Sequence, residues 1–318
     1  ALPICGFALM VEAVGLAAMQ EVPLVIAEIQ RPGPVTGLPT RTEQADLKFV
    51  ISSTPGEIPK MVIALREPED AFYQTMRAFN LADKYQIPVI ILGDQFLADS
   101  LRTVKPFDFN KVKIERYLSD EDIAKKTEYK RYLLTKTGVS PRIVPGRTPG
   151  KTVLVDSDEH DEDGHITESA EVRIAMNDKR LRKMDYLKEE LIEPAFLGEE
   201  EFDTLLIGWG SLYSPIKEAV TLLNASGKIK YGALVFGDIW PLPTKLLIDK
   251  ASKTKIIINI EQNATGQLAQ LIRENTGIEI KKNILRYDGR ALCAEDIINK
   301  LKEVKDRKST RLNSSHNH

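Results

Sequence analysis

Short apolar runs separated by helical patterns recur in the first third of the chain. Residues 23–29, 61–65 and 88–92 are apolar runs, and apolar side chains fall at helical spacing between residues 69 and 85. Continuous apolar strands that alternate with helices are typical of a parallel sheet covered on both faces. The pattern therefore predicts an α/β layer. It is preceded by an apolar helix at residues 7–20, which we expect to be buried against a sheet or a partner.

The same alternation returns after residue 203. The predicted strands are residues 205–207, 231–236, 255–260 and 278–280, and the predicted helices lie near residues 244–253, 265–275 and 294–304. A further helix is predicted to begin with Ser214 as its cap and Pro215 just inside it. These elements predict a second, doubly wound α/β domain.

The segment between the two patterns lacks regular periodicity. Only residues 172–191 look strongly helical, while Pro and Gly cluster at residues 140–150. A structureless run of this length is uncommon inside a compact domain. We therefore expect a domain at residues 1–110, an interdomain connector with local structure at 111–200, a doubly wound domain at 201–305, and a disordered or artefactual tail at 306–318.

Composition narrows the class of protein. The chain has 318 residues, 42% hydrophobic and 28% charged, with a net charge of −2. This balance gives no basis for a nucleic-acid or membrane-surface partner. No apolar run approaches the ~20 residues that span a bilayer, and no signal segment is recognisable at the start. We therefore expect a cytoplasmic protein.

Cysteine and histidine are scarce. The sequence contains two cysteines, Cys5 and Cys293, and four histidines, two of them in the last three residues. These numbers exclude a disulfide framework and any zinc or iron–sulfur site built from this chain's thiolates alone. A nucleophilic mechanism that depends on histidine has almost no residues to draw on.

The loop at residues 31–46, RPGPVTGLPTRTEQAD, follows the first predicted strand and precedes a short predicted helix at residues 46–51. Ligands of open α/β sheets lie beyond the carboxyl ends of the strands, so this loop is a candidate site. Its three Pro and two Gly residues stiffen a backbone that carries polar side chains at Arg31, Thr36, Thr40, Arg41, Thr42 and Glu43. A proline-rich surface connection without a ligand is the alternative.

Three other polar segments have weaker functional interpretations. In the acidic run at residues 156–165, a calcium loop would place its terminal Glu at Ala170, so the spacing favours a solvated connector over a metal site. The GWGS turn at residues 208–211 is either a structural turn or an anion site at a helix start. Asn263 or Thr265 is predicted to cap the helix that follows. We predict no metal ligands.

Several segments together resemble one enzyme family. They are RPGPVTGLPTRTEQADL at 31–47, AFNLADKY at 78–85, PVI at 88–90, EHDEDGHITE at 159–168, GWGS at 208–211 and NATGQ at 263–267. In this order they resemble the alpha subunit of 2-oxoacid:ferredoxin oxidoreductases, in particular the 2-oxoglutarate synthase type. The resemblance extends over residues 6–302.

The resemblance implies a fold and an activity. The fold would be part of a thiamine-enzyme pyrimidine-binding domain, followed by a transketolase C-terminal-like domain. The enzyme would use thiamine diphosphate to decarboxylate a 2-oxoacid, reduce ferredoxin through iron–sulfur clusters and transfer the acyl group to coenzyme A. The beta subunit would hold the diphosphate with Mg²⁺ and the iron–sulfur cluster, and gamma and delta subunits are further expected partners.

The resemblance also assigns residues. Arg31 would bind the substrate carboxylate and Thr40 would contact the substrate nearby, with Gly33, Thr36, Gly37 and Arg41 as further candidate loop contacts. The family's catalytic glutamate and Tyr-Pro-Ile-Thr-Pro segment have no counterpart in this sequence and would lie upstream of Ala1. We therefore expect a fragment of a longer subunit, which binds no cofactor alone and is active only with the upstream segment and the beta subunit.

Two other functions remain open at this point. A non-catalytic assembly subunit or degenerate paralogue would keep the fold and the partner surface without the chemistry. A small-molecule-binding α/β module would be unrelated to thiamine.

Overall fold

Two mixed sheets organise the chain, for which the computed structural model describes residues 4–226 and 229–313. The strands are β1 (Leu24–Gln30), β2 (Met61–Ala64), β3 (Pro88–Asp94), β4 (Ala195–Gly198), β5 (Thr204–Trp209), β6 (Tyr231–Phe236), β7 (Asp238–Trp240), β8 (Ile256–Glu261) and β9 (Lys282–Leu285). The helices are α1 (Ile4–Ala8), α2 (Val11–Met19), α3 (Leu47–Ser52), α4 (Pro68–Tyr85), α5 (Gln95–Asp99), α6 (Asp120–Ala124), α7 (Ala170–Leu187), α8 (Tyr213–Ser226), α9 (Lys245–Ser252), α10 (Gln267–Thr276) and α11 (Ala294–Asn313).

The first sheet has the strand order β1-β3-β2-β7. Strands β1, β3 and β2 are parallel, which confirms the predicted α/β layer. Strand β7 comes from the second half of the chain and pairs antiparallel with β2, so that Val62 lies opposite Trp240. Strand β7 was not predicted, because a strand of three residues carries no usable periodicity. It joins the second half of the chain to the first sheet.

The second sheet has the order β4-β6-β5-β8-β9, with every pair parallel except β4 and β6. The strand predicted at residues 278–280 is wrong. After the left-handed Gly277 ends α10, Ile278 and Ile280 pack into the core without entering a ladder. The actual edge strand is β9, which pairs with β8. Strand β4 was also missed.

One apolar cluster contains buried side chains of both sheets. Val62 and Ile90 of the first sheet belong to the same cluster as Leu234 and Phe236 of the second. Each fully buried side chain of this size stabilises the fold by about 1.5–3 kcal/mol relative to exposure. The shared core and strand β7 therefore hold the two sheets at a common junction.

The amino-terminal apolar segment differs from the prediction. The single helix expected at residues 7–20 is divided into α1 and α2 by a turn at Leu9 and Met10. The buried side of α2 is narrow, formed by Val14, Ala17 and Ala18, while Leu9 is 86% exposed. The prediction that this segment is buried is therefore correct for one side of it only.

Two helix ends also differ. Helix α8 begins at Tyr213, so Ser214 lies in its first turn, where its hydroxyl donates to Glu67 at 2.7 Å instead of capping the helix. Helix α11 extends to Asn313 because residues 305–313 contain no Gly or Pro to end it. Residues 306–313 continue this helix, and the tail expected at residues 306–318 stays a prediction. Residues 314–318 of that tail lie outside the described residues.

Helix α7, the helix predicted near residues 172–191, attaches the connector at residues 111–200 to the first sheet. Its Lys179 and Lys183 are fully buried and both form ion pairs with the fully buried Glu21, at 2.6 Å for Lys183. Burial alone would raise the pKa of Glu21, but the two ammonium groups lower it to about 2. Removing one partner from such a buried cluster costs about 3–5 kcal/mol, so α7 is tightly held.

None of the helices in the described ranges combines the length and the apolar character needed to cross a bilayer.

Candidate functional site

The loop at residues 31–46, here called the Arg31 loop, leaves the carboxyl end of β1 and crosses to the ends of β5 and β8. Arg31 is half-buried at its base, and residues 33–41, which include Thr36 and Thr40, are exposed. Gly37 has a positive φ of 50°, and a Cβ there would lie 1.8 Å from the Pro32 carbonyl oxygen. Only glycine fits that position, so Gly37 has a structural role in the turn.

The predicted site residues do not all face one space. Thr40 and Arg41 line a cavity of about 340 Å³, together with residues that follow β3 and β9. Arg31, Gly33, Thr36 and Gly37 are not part of that wall. The loop therefore presents two regions, the half-buried base at Arg31 and the cavity at its far end.

Gln44 fixes the carboxyl end of the Arg31 loop to the second sheet. Its side chain is fully buried, with Nε2 donating to the Trp209 carbonyl at 2.9 Å and Oε1 accepting from the Gln262 N–H at 3.2 Å. Its backbone N–H donates to the Gln262 carbonyl at 2.7 Å, and its carbonyl accepts from Asn263 Nδ2 at 3.0 Å. Four hydrogen bonds therefore set the position of this one residue.

Glu261, at the end of β8, holds the segment to which Gln44 is bound. Its fully buried carboxylate accepts from Trp209 Nε1 at 3.1 Å, Asn259 Nδ2 at 2.8 Å and Asn263 Nδ2 at 2.7 Å. It also accepts from the backbone N–H groups of Leu268 and Ala269 in the first turn of α10. A carboxylate at a helix amino terminus is electrostatically favoured and satisfies otherwise unpaired N–H groups.

This arrangement corrects the predicted cap of α10. Asn263 accepts from the N–H groups of Thr265 and Gly266 and so orders the turn before the helix. The helix begins only at Gln267, and the Glu261 side chain satisfies its first N–H groups. Neither Asn263 nor Thr265 is the cap.

Asp94 makes a second link between the sheets. It ends β3, is almost fully buried, and accepts hydrogen bonds from the hydroxyls of Ser211 and Thr42. Burial raises the pKa of Asp94, although these hydrogen bonds and the Leu97 N–H act in the opposite direction. With Ser211 bonded to Asp94 and the Trp209 carbonyl bonded to Gln44, the structure favours the structural interpretation of the GWGS turn.

Three carboxyl groups lie behind the Arg31 loop. Glu28 of β1 is almost fully buried, and its Oε1 has no hydrogen-bond partner among the described residues. Burial and the nearby Asp46 raise the pKa of Glu28 to about 8. Burial raises the pKa of Asp46 to about 6. The pKa of Glu43 is also raised, by burial and by the nearby carboxylates of Asp46 and Asp288. At pH 7 Glu28 therefore keeps a proton that a solvent-exposed carboxyl group would release.

The acidic run at residues 156–165 is used within the fold. Glu159 pairs with Arg180 at 2.8 Å and with Arg173 at 2.6 Å. Asp161 accepts from the N–H groups of Asp163 and His165 in a local turn. Within residues 4–226 and 229–313, no group of three or more His, Cys, Asp or Glu side chains is placed to bind a metal ion.

Gln44, Glu261 and Asp94 were not predicted as functional residues. A usable signal existed for two of them, because Asp94 and Glu261 are acidic residues at the ends of strands that are otherwise mainly apolar. Polar groups that end buried strands need specific partners, so such positions indicate a junction or a site. Gln44 gives no such signal, since it lies in a loop that is polar throughout.

Comparison with known proteins identifies the class. Residues 5–179 match the family model for pyruvate flavodoxin/ferredoxin oxidoreductase, thiamine diphosphate-binding, and residues 203–297 match pyruvate:ferredoxin oxidoreductase core domain II. The chain belongs to this oxidoreductase family, which confirms the expected thiamine-enzyme domain followed by a second α/β domain. Within the family, it is related to the alpha subunits of 2-oxoacid:ferredoxin oxidoreductases, as the resemblance predicted.

Individual relatives agree with this placement. Subunit alpha of 2-oxoacid:ferredoxin oxidoreductase 2 from Aeropyrum pernix is 36% identical over 318 residues, covering 98% of this chain and 48% of the relative. The 2-oxoglutarate oxidoreductase subunit KorA of Mycobacterium tuberculosis is 30% identical, covering 92% of this chain and 44% of the relative. The chain thus spans about half the length of these curated relatives.

A solved structure gives a similar result. The 2-oxoglutarate:ferredoxin oxidoreductase from Magnetococcus marinus, with 2-oxoglutarate, coenzyme A and succinyl-CoA bound, has a TM-score of 0.87 and 34% identity. The match covers 94% of this chain and 52% of that chain.

Replacing Gln44 tests the connection between the Arg31 loop and the second sheet. We expect Gln44→Ala to leave the Trp209 carbonyl and the Gln262 N–H without partners, at a cost of about 1–3 kcal/mol for each orphaned buried group. Denaturant unfolding measures this change, and the exposed Glu274→Ala is the control with an expected effect within about 0.5 kcal/mol. Equal stability of the two variants would contradict the assigned role.

Replacing Glu28 tests the buried carboxyl group. The ordinary pKa of this carboxyl group is 4.5, and the fold raises it to about 8. Between these two pH values the folded state keeps a proton that the unfolded state has released, so rising pH destabilises the folded protein over this range. Glu28→Gln has no proton to lose. We expect its stability relative to the wild type to increase from about pH 5 to about pH 8, by roughly 1–3 kcal/mol.

Thermal unfolding at several pH values measures this difference. The exposed Glu57→Gln is the control, and we expect it to follow the wild type throughout. If Glu28→Gln showed the same pH dependence as the wild type, Glu28 would not carry the retained proton.

Proposed function

We propose that this chain is part of the alpha subunit of a thiamine diphosphate-dependent 2-oxoacid:ferredoxin oxidoreductase, of the 2-oxoglutarate type. In the proposed reaction the 2-oxoacid loses carbon dioxide, its acyl group forms a thioester with coenzyme A, and the two electrons released reduce ferredoxin. The main support for the proposal is the position of the Arg31 loop in a chain that belongs to this family. Hydrogen bonds of Gln44 hold the loop at the junction of the two sheets.

Thiamine diphosphate, when bound, supplies the electron sink that allows a 2-oxoacid to decarboxylate. The described residues contain no cluster of three or more acidic, His or Cys side chains for the Mg²⁺ that accompanies the diphosphate. We propose that the beta subunit holds the diphosphate, Mg²⁺ and the iron–sulfur cluster. Gamma and delta subunits are further proposed partners.

The proposed task of this chain is to bind and orient the 2-oxoacid. The planar guanidinium of Arg31 matches a carboxylate with two parallel charge-assisted hydrogen bonds. Arg31 is half-buried, and partial exclusion of water strengthens such a pair. Thr40 lies on the wall of the separate cavity, so its predicted contact with the substrate is not part of this proposal. Because Gln44 fixes the carboxyl end of the loop, Arg31 would be held in place before substrate binds.

The conservative variant Arg31→Lys tests this role in the full-length subunit assembled with its beta subunit. Lysine keeps the charge but cannot form two parallel hydrogen bonds, so we expect kcat/KM for the 2-oxoacid to fall by about 10- to 100-fold. The assay is 2-oxoacid-dependent reduction of a viologen dye. Arg273→Lys, an exposed residue of α10, is the control and should behave as the wild type.

Two results would count against the proposal. Unchanged KM and kcat/KM in Arg31→Lys would remove the assigned role of Arg31. A wild-type assembly that reduces no dye with any 2-oxoacid would favour the non-catalytic assembly subunit instead.

A further inference from the structure

The cavity of about 340 Å³ at the far end of the Arg31 loop is separate from the base of the loop at Arg31. Its walls come from three segments. The Arg31 loop contributes Thr40 and Arg41, helix α5 contributes Gln95 and Asp99, and the turn after β9 contributes Arg290. The cavity thus lies where the ends of both sheets meet.

Two arginines approach this cavity from segments that touch. Gly289 has a positive φ of 77°, and a Cβ there would lie 2.8 Å from Leu38 Cδ1 and 3.0 Å from Arg41 Cβ. The Arg41 side chain therefore packs directly against Gly289, the residue that precedes Arg290. The Thr42 N–H donates to the Gly289 carbonyl at 3.3 Å, which holds the two segments together.

The charges around the cavity are unbalanced. Among the described residues, the guanidinium groups of Arg41 and Arg290 have no hydrogen-bond or ion-pair partner, and both residues are exposed. Asp99, the acidic residue on the wall, accepts from Gln95 Nε2 at 2.8 Å. Asp288, next to Gly289, forms an ion pair with Arg286 at 2.9 Å. Two like charges on adjoining segments repel each other, and an anion between them would relieve that repulsion.

We propose that this cavity binds a phosphate group. One guanidinium satisfies both oxygens of a carboxylate, whereas two guanidinium groups and the Thr40 hydroxyl match the additional oxygens and the double charge of a phosphate monoester. The phosphate can come from two sources, free inorganic phosphate or the phosphorylated end of coenzyme A. The second source rests on the proposed function.

Calorimetric titration of the full chain tests the site with four probes: inorganic phosphate, adenosine 3′,5′-diphosphate, coenzyme A and dephospho-coenzyme A. We expect Arg290→Ala to weaken phosphate binding by about 10- to 100-fold, because hydrogen bonds to a charged group are lost. Arg290 is exposed, so the variant should fold normally. Arg273→Ala, another exposed arginine, is the matched control and should bind as the wild type does.

The probes distinguish the two sources. Tighter binding of coenzyme A than of dephospho-coenzyme A, lost in Arg290→Ala, supports the site and assigns it to the cofactor's phosphate. Equal binding of inorganic phosphate and the nucleotides, also lost in Arg290→Ala, supports the site with free phosphate as its ligand.

Three results would overturn the inference. They are no binding of any phosphate probe to the wild type, equal binding in Arg290→Ala and the wild type, and an Arg290-dependent affinity for 2-oxoglutarate without one for phosphate. These measurements need no turnover. If the assembled enzyme oxidised no 2-oxoacid but Arg290→Ala still lost phosphate binding, the proposed function would fail and the phosphate site would stand.

Discussion

The position of the Arg31 loop depends on one buried carboxylate. Glu261 has no cationic partner among its hydrogen bonds, and its charge is satisfied by neutral N–H donors from Trp209, Asn259, Asn263 and the start of α10. Asn263 uses its second amide hydrogen to hold the carbonyl of Gln44. The loop that leaves the first sheet is therefore positioned by the second sheet, and any shift between the sheets would move it.

This arrangement explains why the two halves of the chain are found together. A loop with three prolines is stiff but has no intrinsic reason to lie in one place. The Gln44 hydrogen bonds, the Asp94–Ser211 bond and strand β7 all cross from one half of the chain to the other. Buried carboxyl groups with raised pKa values lie behind the loop, and two arginines without ion-pair partners among the described residues lie at its far end. The charge asymmetry favours anionic ligands on the outer side.

The sequence predicted the parts of the fold that depend on local pattern. Strands 61–65 and 231–236 and the helix near 172–191 were found because continuous apolar runs and helical spacing persist over several residues. Strand β7 and the true position of β9 depend on pairing with distant strands, which no local window contains. For the site, the position of the Arg31 loop after the carboxyl end of a predicted strand indicated the loop, and the family resemblance suggested Arg31. The hydrogen bonds of Gln44 join residues 165 to 219 positions apart in the chain, and the bond from Trp209 to Glu261 spans 52 positions, so neither could be read from one segment alone.

We propose that this chain supplies the 2-oxoacid-binding loop of a two-electron oxidoreductase. The most direct measurement is co-expression of the full-length subunit with its beta subunit, followed by an assay for 2-oxoacid-dependent viologen reduction with and without coenzyme A. We expect dye reduction that requires a 2-oxoacid, together with formation of the matching acyl-CoA. A correctly assembled complex that binds thiamine diphosphate but reduces no dye with any 2-oxoacid would contradict it.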